Sequence, residues 1–531
     1  MSRTDLYKKT FSYDACRTAS GEAMWAALSA LCMDAIETRT LSSALEARRA
    51  HGFPEFLPEL ARLEEACRAV EEQRNALPRS TDRPAVNPTL RMLELSWSGL
   101  YAYMNGHPAN APVRKHERLL VWLDPRTGRT SVQPAAAEQL LVLKMVVEGI
   151  SAEAVAKEGR IPVGAVDTAL SRAAAGGLLL MPPSSLRRDP ALFRSSQHIG
   201  EEYLSTPSFT LQWHVTQACD LHCKHCYDRS NRSQPTLEQA MRILDDLRAF
   251  CMSRNVAGAV SFTGGNPLLH PAFTGIYRAA SERGFTTAIL GNPAPRERIE
   301  ELISIQMPAF FQVSLEGLRE HNDGIRGAGH FERILSFLKM LAELRVPSMV
   351  MLTLTSENID QVLPLGETLR GKTDVLHFNR LSMVGEGAQL AMPGKKRYRE
   401  FLGDYLAAMR TNTVLGLKDN LINIMRHDQG TALFGGCTGY GCGAAFNFVS
   451  LLADGDVHAC RKFPSPIGSI YRQSFSEIYD SDRARRYREG SSACASCTIR
   501  PVCGGCLAST YSHGMNVFED RDPFCFRHNG A

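Results

Sequence analysis

The chain has 531 residues, 44% apolar and 22% charged, with a formal net charge of +4. That length exceeds one ordinary core and predicts a soluble protein of several domains, and so small a charge gives no reason to invoke a nucleic-acid or membrane partner. The opening MSRTDLYKKTFSYDAC lacks the apolar stretch of a secretory signal, and the longest apolar runs, such as GGLLLMPP and VPSMVMLTLT, fall short of a membrane span, so a cytoplasmic protein is expected. A reducing cytosol disfavours disulfides, yet there are fifteen cysteines. Eleven of them lie in two groups, at 219–226 and 437–525, a distribution that points to metal.

In chain order, residues 1–112 carry helical patterns, for example EFLPELARLEEACRAVEEQR, with a Pro-containing break at LPRSTDRPAVNP. A helical packing or docking region is expected there. In residues 113–185, RLLVWLDP and RTSVQP read as two strands around a Pro-Arg-Thr-Gly turn, followed by three helical stretches, AAAEQLLVLKMVVEG, SAEAVAKEG and VGAVDTALSRAAAGGLL. PPSSLRRDP then reads as a linker.

From 205 to 412 strands and helices alternate. Six strands are predicted, at 209–216, 257–265, 286–292, 309–317, 348–355 and 375–382, with amphipathic helices between them. Thr236 and Gln239 fit a capping box for one of these helices. The fold class is therefore α/β with a parallel sheet, and six units fit a partial (β/α)6 barrel better than a closed eight-unit one. Residues 413–531 are cysteine-rich and turn-rich and are expected to need metal to fold. Cys16, Cys32, Cys67 and Cys251 sit in helical patterns as core thiols, and RARRYREG (483–490) reads as a solvated helix face.

The decisive motif is CDLHCKHC, directly after the first barrel strand, which spaces Cys219, Cys223 and Cys226 on one tight loop. Three thiolates can bind three irons of a [4Fe–4S] cube and leave the fourth open to a substrate or cofactor. Its place at the C-terminal end of a strand is where barrel enzymes build active sites. Zinc, with His222 or His225 as a fourth ligand, is the alternative.

CDLHCKHCY after a first strand resembles the signature of the radical S-adenosylmethionine (SAM) superfamily. The resemblance implies that SAM chelates the open iron and that an electron from the cluster releases a 5′-deoxyadenosyl radical, which abstracts hydrogen from substrate. It also implies cofactor contacts from Gly264, Gly265 and Asn266, where the family usually has Gly-Gly-Glu-Pro, from Ser314 and Arg326, and from His225 against the adenine. Asn266 in place of a carboxylate makes one charge-assisted bond a neutral, weaker one.

Further on stand Cys437, Cys442, Cys460, Cys494, Cys497, Cys503, Cys506 and Cys525, enough for two more [4Fe–4S] clusters. FVSLLADGDVHAC reads as a hairpin turning at Asp454-Gly455. This region resembles the SPASM extension of radical peptide-modifying enzymes. By that resemblance Cys437, Cys442, Cys460 and Cys506 hold one cluster, and Cys494, Cys497, Cys503 and Cys525 the other. Two residues, not the usual three, separate Cys503 from Cys506, and zinc ribbons remain the alternative.

Residues 113–185 are similar to the winged-helix-like peptide-recognition domain of such systems, which takes a leader peptide as an added strand. A DNA-binding winged helix is the rival reading, although VGAVDTALSRA offers few basic residues to phosphate. The expected function is a maturase that modifies a small ribosomally made precursor peptide, fed by an external electron donor of flavodoxin or ferredoxin type. Within the superfamily the chain is similar to the selenobiotic, or thio(seleno)oxazole-modifying, maturases. An anaerobic sulfatase-maturing enzyme is a second reading, but Arg461 stands where that family has an acid after the third auxiliary cysteine. A non-catalytic electron-transfer or peptide-carrier protein is the third. No catalytic base is identifiable.

Overall fold

The computed structural model describes residues 14–20, 41–48, 53–78, 80–105, 111–194 and 199–527. Cys32, expected as a core thiol, lies outside them. The chain divides into two compact units, Met1–Pro183 and Ser184–Ala531. Among the described residues no helix is long and apolar enough to cross a membrane.

In the first unit a short pair, β1 (Ala85–Val86) with β5 (Leu179–Leu180), accompanies a three-stranded antiparallel sheet. That sheet runs β2 (Arg91–Ser98), β3 (Val113–Leu123), β4 (Thr130–Pro134). The central strand is apolar throughout Leu119–Leu123 because both of its faces are covered. Leu119, Val121 and Leu123 pack with Leu57, Leu60 and Leu63 of the helix Leu57–Glu72. Leu120 and Trp122 pack with Val142, Ala169 and Ala173 of the helices that follow. Each such fully buried aliphatic side chain contributes roughly 1.5–3 kcal/mol.

The three helices, Ala137–Glu148, Ala152–Gly159 and Val163–Ala175, stand where the sequence predicts them. One expectation is corrected. Residues 91–98, assigned to a helical region ending at 112, form β2 and pair with β3 across that boundary. The Leu93, Leu95, Trp97 alternation is a strand period and carried the signal.

The second unit is built on one nine-stranded sheet in the order β11-β10-β9-β8-β7-β6-β12-β13-β14. The six strands of its barrel portion, all parallel, are β6 (Ser208–Thr216), β7 (Ala257–Gly264), β8 (Thr286–Leu290), β9 (Phe311–Ser314), β10 (Ser348–Leu354) and β11 (Val375–Arg380). Helices connect them. The first, Leu237–Ser253, carries the predicted capping box and buries Ala240, Ile243, Leu244, Leu247 and Phe250, one helical stripe, in the core.

The cysteine-rich region is not a separate body. Its hairpin, β12 (Phe448–Leu451) with β13 (Asp456–His458), adds β12 in parallel to β6, and β14 (Pro466–Ser469) extends the sheet further. Arg380, at the end of β11, is buried between Asp419 and Asp522 at 2.8 and 2.7 Å and so ties the barrel to the cysteine-rich segment. The predicted linker is also anchored within this unit. Arg188 is buried and donates to the carbonyls of Tyr440 and Cys442.

The RARRYREG helix, Asp482–Glu489, exposes Arg483, Arg485 and Arg486. It is not wholly solvated, because Arg488 turns inward over the Tyr479 ring.

Candidate active site and auxiliary cluster sites

The loop that leaves β6 and the ends of β7, β8 and β9 surround one cavity of about 390 Å³ at the C-terminal ends of the parallel strands. Cys219, Cys223 and Cys226 line it, together with His225, Gly264, Gly265, Ser314 and Arg326. The sequence therefore brings eight of its nine core candidates to one wall.

Gly264 and Gly265 also set the backbone at the end of β7. Gly264 sits at φ +138°, and a Cβ on either glycine would run into the carbonyl of Thr216 or Ala218. That contact lets Gly265 N–H donate to Thr216 O at 2.9 Å and Asn266 N–H to Ala218 O at 2.7 Å, which pins the approach to the cysteine loop.

Asn266, the ninth, is buried beside the cavity without lining it. Its amide donates to Asp220 Oδ1 at 3.1 Å, and its Oδ1 accepts from Leu268 N–H at 3.3 Å. Asn292 donates to the same Asp220 oxygen at 2.6 Å and reaches Cys219 Sγ at 3.8 Å.

Arg326 ends the helix Arg319–Arg326 and gives Nε and Nη2 to Glu316 Oε1 at 2.9 and 2.6 Å. Its Nη1 points toward the cysteine loop, 3.5 Å from Cys223 Sγ. Burial alone would raise the Glu316 carboxyl, but the opposing charges of His225 and Arg326 outweigh it and hold it below the usual range. Burial pushes the His225 ring below its usual value against the pull of Glu316. His225 Nε2 lies 3.3 Å from Arg326 Nη2, while Nδ1 is buried without a partner.

Sequence reasoning did not single out Glu316, Asp220, Asn292, His214 or Tyr227. Glu316 was legible in part, two residues beyond Ser314 in the same block. Burial pushes His214, on β6, down to about 3 with Arg461 adding to the effect, so its ring is neutral.

The later cysteines gather into two foursomes. Cys437, Cys442, Cys460 and Cys506 line one small cavity, and Cys494, Cys497, Cys503 and Cys525 line another. Cys503 and Cys506 go to different cavities because Gly504 and Gly505 between them both take left-handed φ, +64° and +65°, and reverse the chain within two residues. Asn420 Oδ1 accepts from Cys437 N–H at 2.6 Å, and Asp522 Oδ2 from Cys506 N–H at 2.8 Å. Arg500, Arg521 and Arg527 surround the second foursome.

Burial pushes the thiols of Cys442 up to about 12 and those of Cys460 and Cys494 up to about 11, so they are neutral at neutral pH unless a bound cation stabilises the thiolates. Among the described residues no three His, Cys, Asp or Glu side chains converge closely enough for a single metal ion. At the barrel mouth the donor set is three thiols, and at the other two it is four, which fits one open and two closed clusters.

A partial barrel of six parallel strands, three thiols at its mouth and two four-thiol cavities beyond fit an iron–sulfur enzyme of the radical type. Residues 213–369 match the Radical SAM superfamily, and residues 442–506 match the SPASM family, an iron–sulfur cluster-binding domain. Residues 213–369 therefore carry a radical SAM domain and residues 442–506 a SPASM domain. Those two domains carry [4Fe–4S] clusters and SAM as cofactors.

Among relatives, the chain is 26% identical to an AdoMet-dependent heme synthase of Methanosarcina barkeri over 347 residues, 60% of this chain and 97% of that protein. It is 28% identical to mycofactocin maturase MftC of Mycolicibacterium smegmatis over 346 residues, 60% of this chain and 83% of that one. Among solved structures, SuiB of Streptococcus suis bound to SAM is similar at 17% identity and a TM-score of 0.49, covering 77% of this chain and 96% of that chain.

Proposed function

We propose that this chain is a radical SAM maturase that installs a modification on a small ribosomally made peptide. Cys219, Cys223 and Cys226 hold the SAM-binding cluster, and the two later foursomes hold auxiliary clusters. When bound, the core cluster and SAM supply the electron and the hydrogen-abstracting radical. The chain's own residues do the rest. Arg326 Nη1 sets a positive charge beside Cys223, with its fork fixed by Glu316. Ser314 and His225 offer polar groups toward the cofactor from the cavity wall, and Gly264 and Gly265 let the strand end approach it. Asn266 acts through Asp220 on the cysteine loop. An external flavodoxin- or ferredoxin-type protein delivers the electrons.

The observation that carries the peptide reading is β4. Among the described residues it is an edge strand with a single partner, in a three-stranded sheet followed by three helices, and an extended peptide can add to it by main-chain hydrogen bonds. The similarity to a maturase, MftC, supports the same reading. A tetrapyrrole substrate is the second reading, because of the similarity to a heme synthase. Almost the whole of that protein is matched within three fifths of this chain, which leaves the remainder without a counterpart there.

The test is to incubate the anaerobically reduced enzyme and SAM with the peptide encoded by a small reading frame beside the gene. A SAM-dependent mass change in the peptide is expected. Turnover of an iron porphyrin with no change in any peptide would overturn the proposal in favour of the second reading.

A further inference from the structure

Four charged side chains line the cavity, Asp228, Arg229, Arg326 and Arg461. Three have opposite charges close by: Asp228 faces Arg232 at 3.2 Å, Arg229 faces Glu386 at 3.9 Å, and Arg326 faces Glu316 at 2.6 Å. Arg461 has no carboxylate within 4.0 Å among the described residues. It follows Cys460 in the segment between β13 and β14, and its Nη1 donates to the buried Thr263 hydroxyl at 3.1 Å. Its guanidinium lies 5.6 Å over the Tyr227 ring, which holds the charge in place by a cation–π contact. His214, whose ring meets that of Tyr227 at 6.4 Å, is 2% exposed, lines the same cavity, and has a buried Nε2 with no partner. A held but unmatched guanidinium, in a cavity that also holds a buried ring nitrogen without a partner, is a site short of a polar ligand, and a planar carboxylate suits the guanidinium best.

We propose that Arg461, set by Thr263 and Tyr227 and joined by His214, seats a carboxylate of the substrate, either an acidic side chain or a free C-terminus of the peptide segment brought to the cavity. The proposal rests on the peptide-maturase reading and narrows it.

The test uses the full chain, anaerobically loaded with iron and sulfide and saturated with SAM. Two matched probe pairs are titrated by calorimetry: acetyl-Gly-Glu-Gly-amide against its Gln analogue, and acetyl-Gly-Gly-Gly with a free against an amidated C-terminus. At least one acid probe is expected to bind about tenfold more tightly than its neutral partner, the scale of one charge-assisted hydrogen bond. The pair that discriminates names the source of the carboxylate. Arg461→Gln should abolish the preference, and Arg461→Lys should keep part of it.

Equal binding of acid and amide in both pairs overturns the inference, as does a preference that survives Arg461→Gln. A loss of SAM affinity in Arg461→Gln as large as the loss of acid-probe affinity also overturns it, assigning the arginine to the cofactor instead. A shift in auxiliary-cluster potential with the preference intact would make the arginine a partner of that cluster and overturn it too. Failure of the wild-type protein to form 5′-deoxyadenosine is a separate outcome, and it would sink the underlying maturase reading.

Discussion

Asn266 donates its side-chain amide to Asp220 at 3.1 Å, so the turn after β7 is tied to the residue that follows the first cysteine of the core loop. Where the family usually has a glutamate, this chain has an amide, and the carboxylate stands across the hydrogen bond on Asp220. The two positions form one acid–amide pair. Restoring the glutamate alone would set two carboxylates against each other.

Asn266→Glu is therefore expected to weaken SAM binding about tenfold, since opposed like charges at this range cost a kcal/mol or more. The double variant Asp220→Asn/Asn266→Glu exchanges the pair and should recover most of the loss. Anaerobic equilibrium dialysis measures both. A double variant as weak as the single one would show that the two side chains are not coupled.

Glu316 is 2% exposed, and its charge is matched chiefly by Arg326. Removing the guanidinium with Arg326→Met leaves a buried carboxylate without its partner, with an expected destabilisation of about 3–5 kcal/mol. Adding Glu316→Gln should return part of the stability while SAM binding stays poor. Thermal midpoints of the loaded protein and SAM affinity, measured side by side, separate the two effects. Equal midpoints for Arg326→Met and wild type would contradict the ion-pair account.

Arg380 holds Asp522, and Asp522 Oδ2 in turn accepts from the Cys506 N–H. Arg380→Met should loosen that end of the cysteine-rich segment and lower bound iron by about a third, one cube of three. Lysine should not replace the arginine, because the two nitrogens that meet Asp522 form a fork that a single ammonium lacks. Iron and sulfide analysis decides it, and full iron content in Arg380→Met would refute the link.

Gly265→Ala would drive a Cβ into the Ala218 carbonyl, two backbone segments with no flexible side chain to yield. The expected result is loss of the core cluster with both auxiliary clusters kept. Electron paramagnetic resonance of the reduced protein reads this directly. Retention of all three signals would mean that the strand end can shift without disturbing the cysteine loop.

The features legible in the sequence were those with local causes. Six runs of β-forming residues separated by amphipathic helices could only be a parallel sheet, and the cysteine spacing fixed the loop to the first strand. The strand expected at 309–317 is shorter in the structure, Phe311–Ser314, because after a last bond from Leu315 N–H to Met351 O the chain turns away and places Glu316 beside Arg326. The pairing of β12 with β6 joins residues more than two hundred positions apart, and no local pattern encodes it. The same holds for Arg461. It stands out only once the other charges around the cavity are seen to be matched.

The central claim is that three thiols at the barrel mouth hold an iron open to SAM while eight others serve closed clusters. It is tested most directly by 5′-deoxyadenosine formation in the wild type and in Cys219→Ala/Cys223→Ala/Cys226→Ala, each reconstituted anaerobically and reduced with dithionite. The wild type should form the product, and the triple variant should form none while keeping about two thirds of its iron. Undiminished product from the triple variant, or zinc in place of iron in the wild type, would contradict the account.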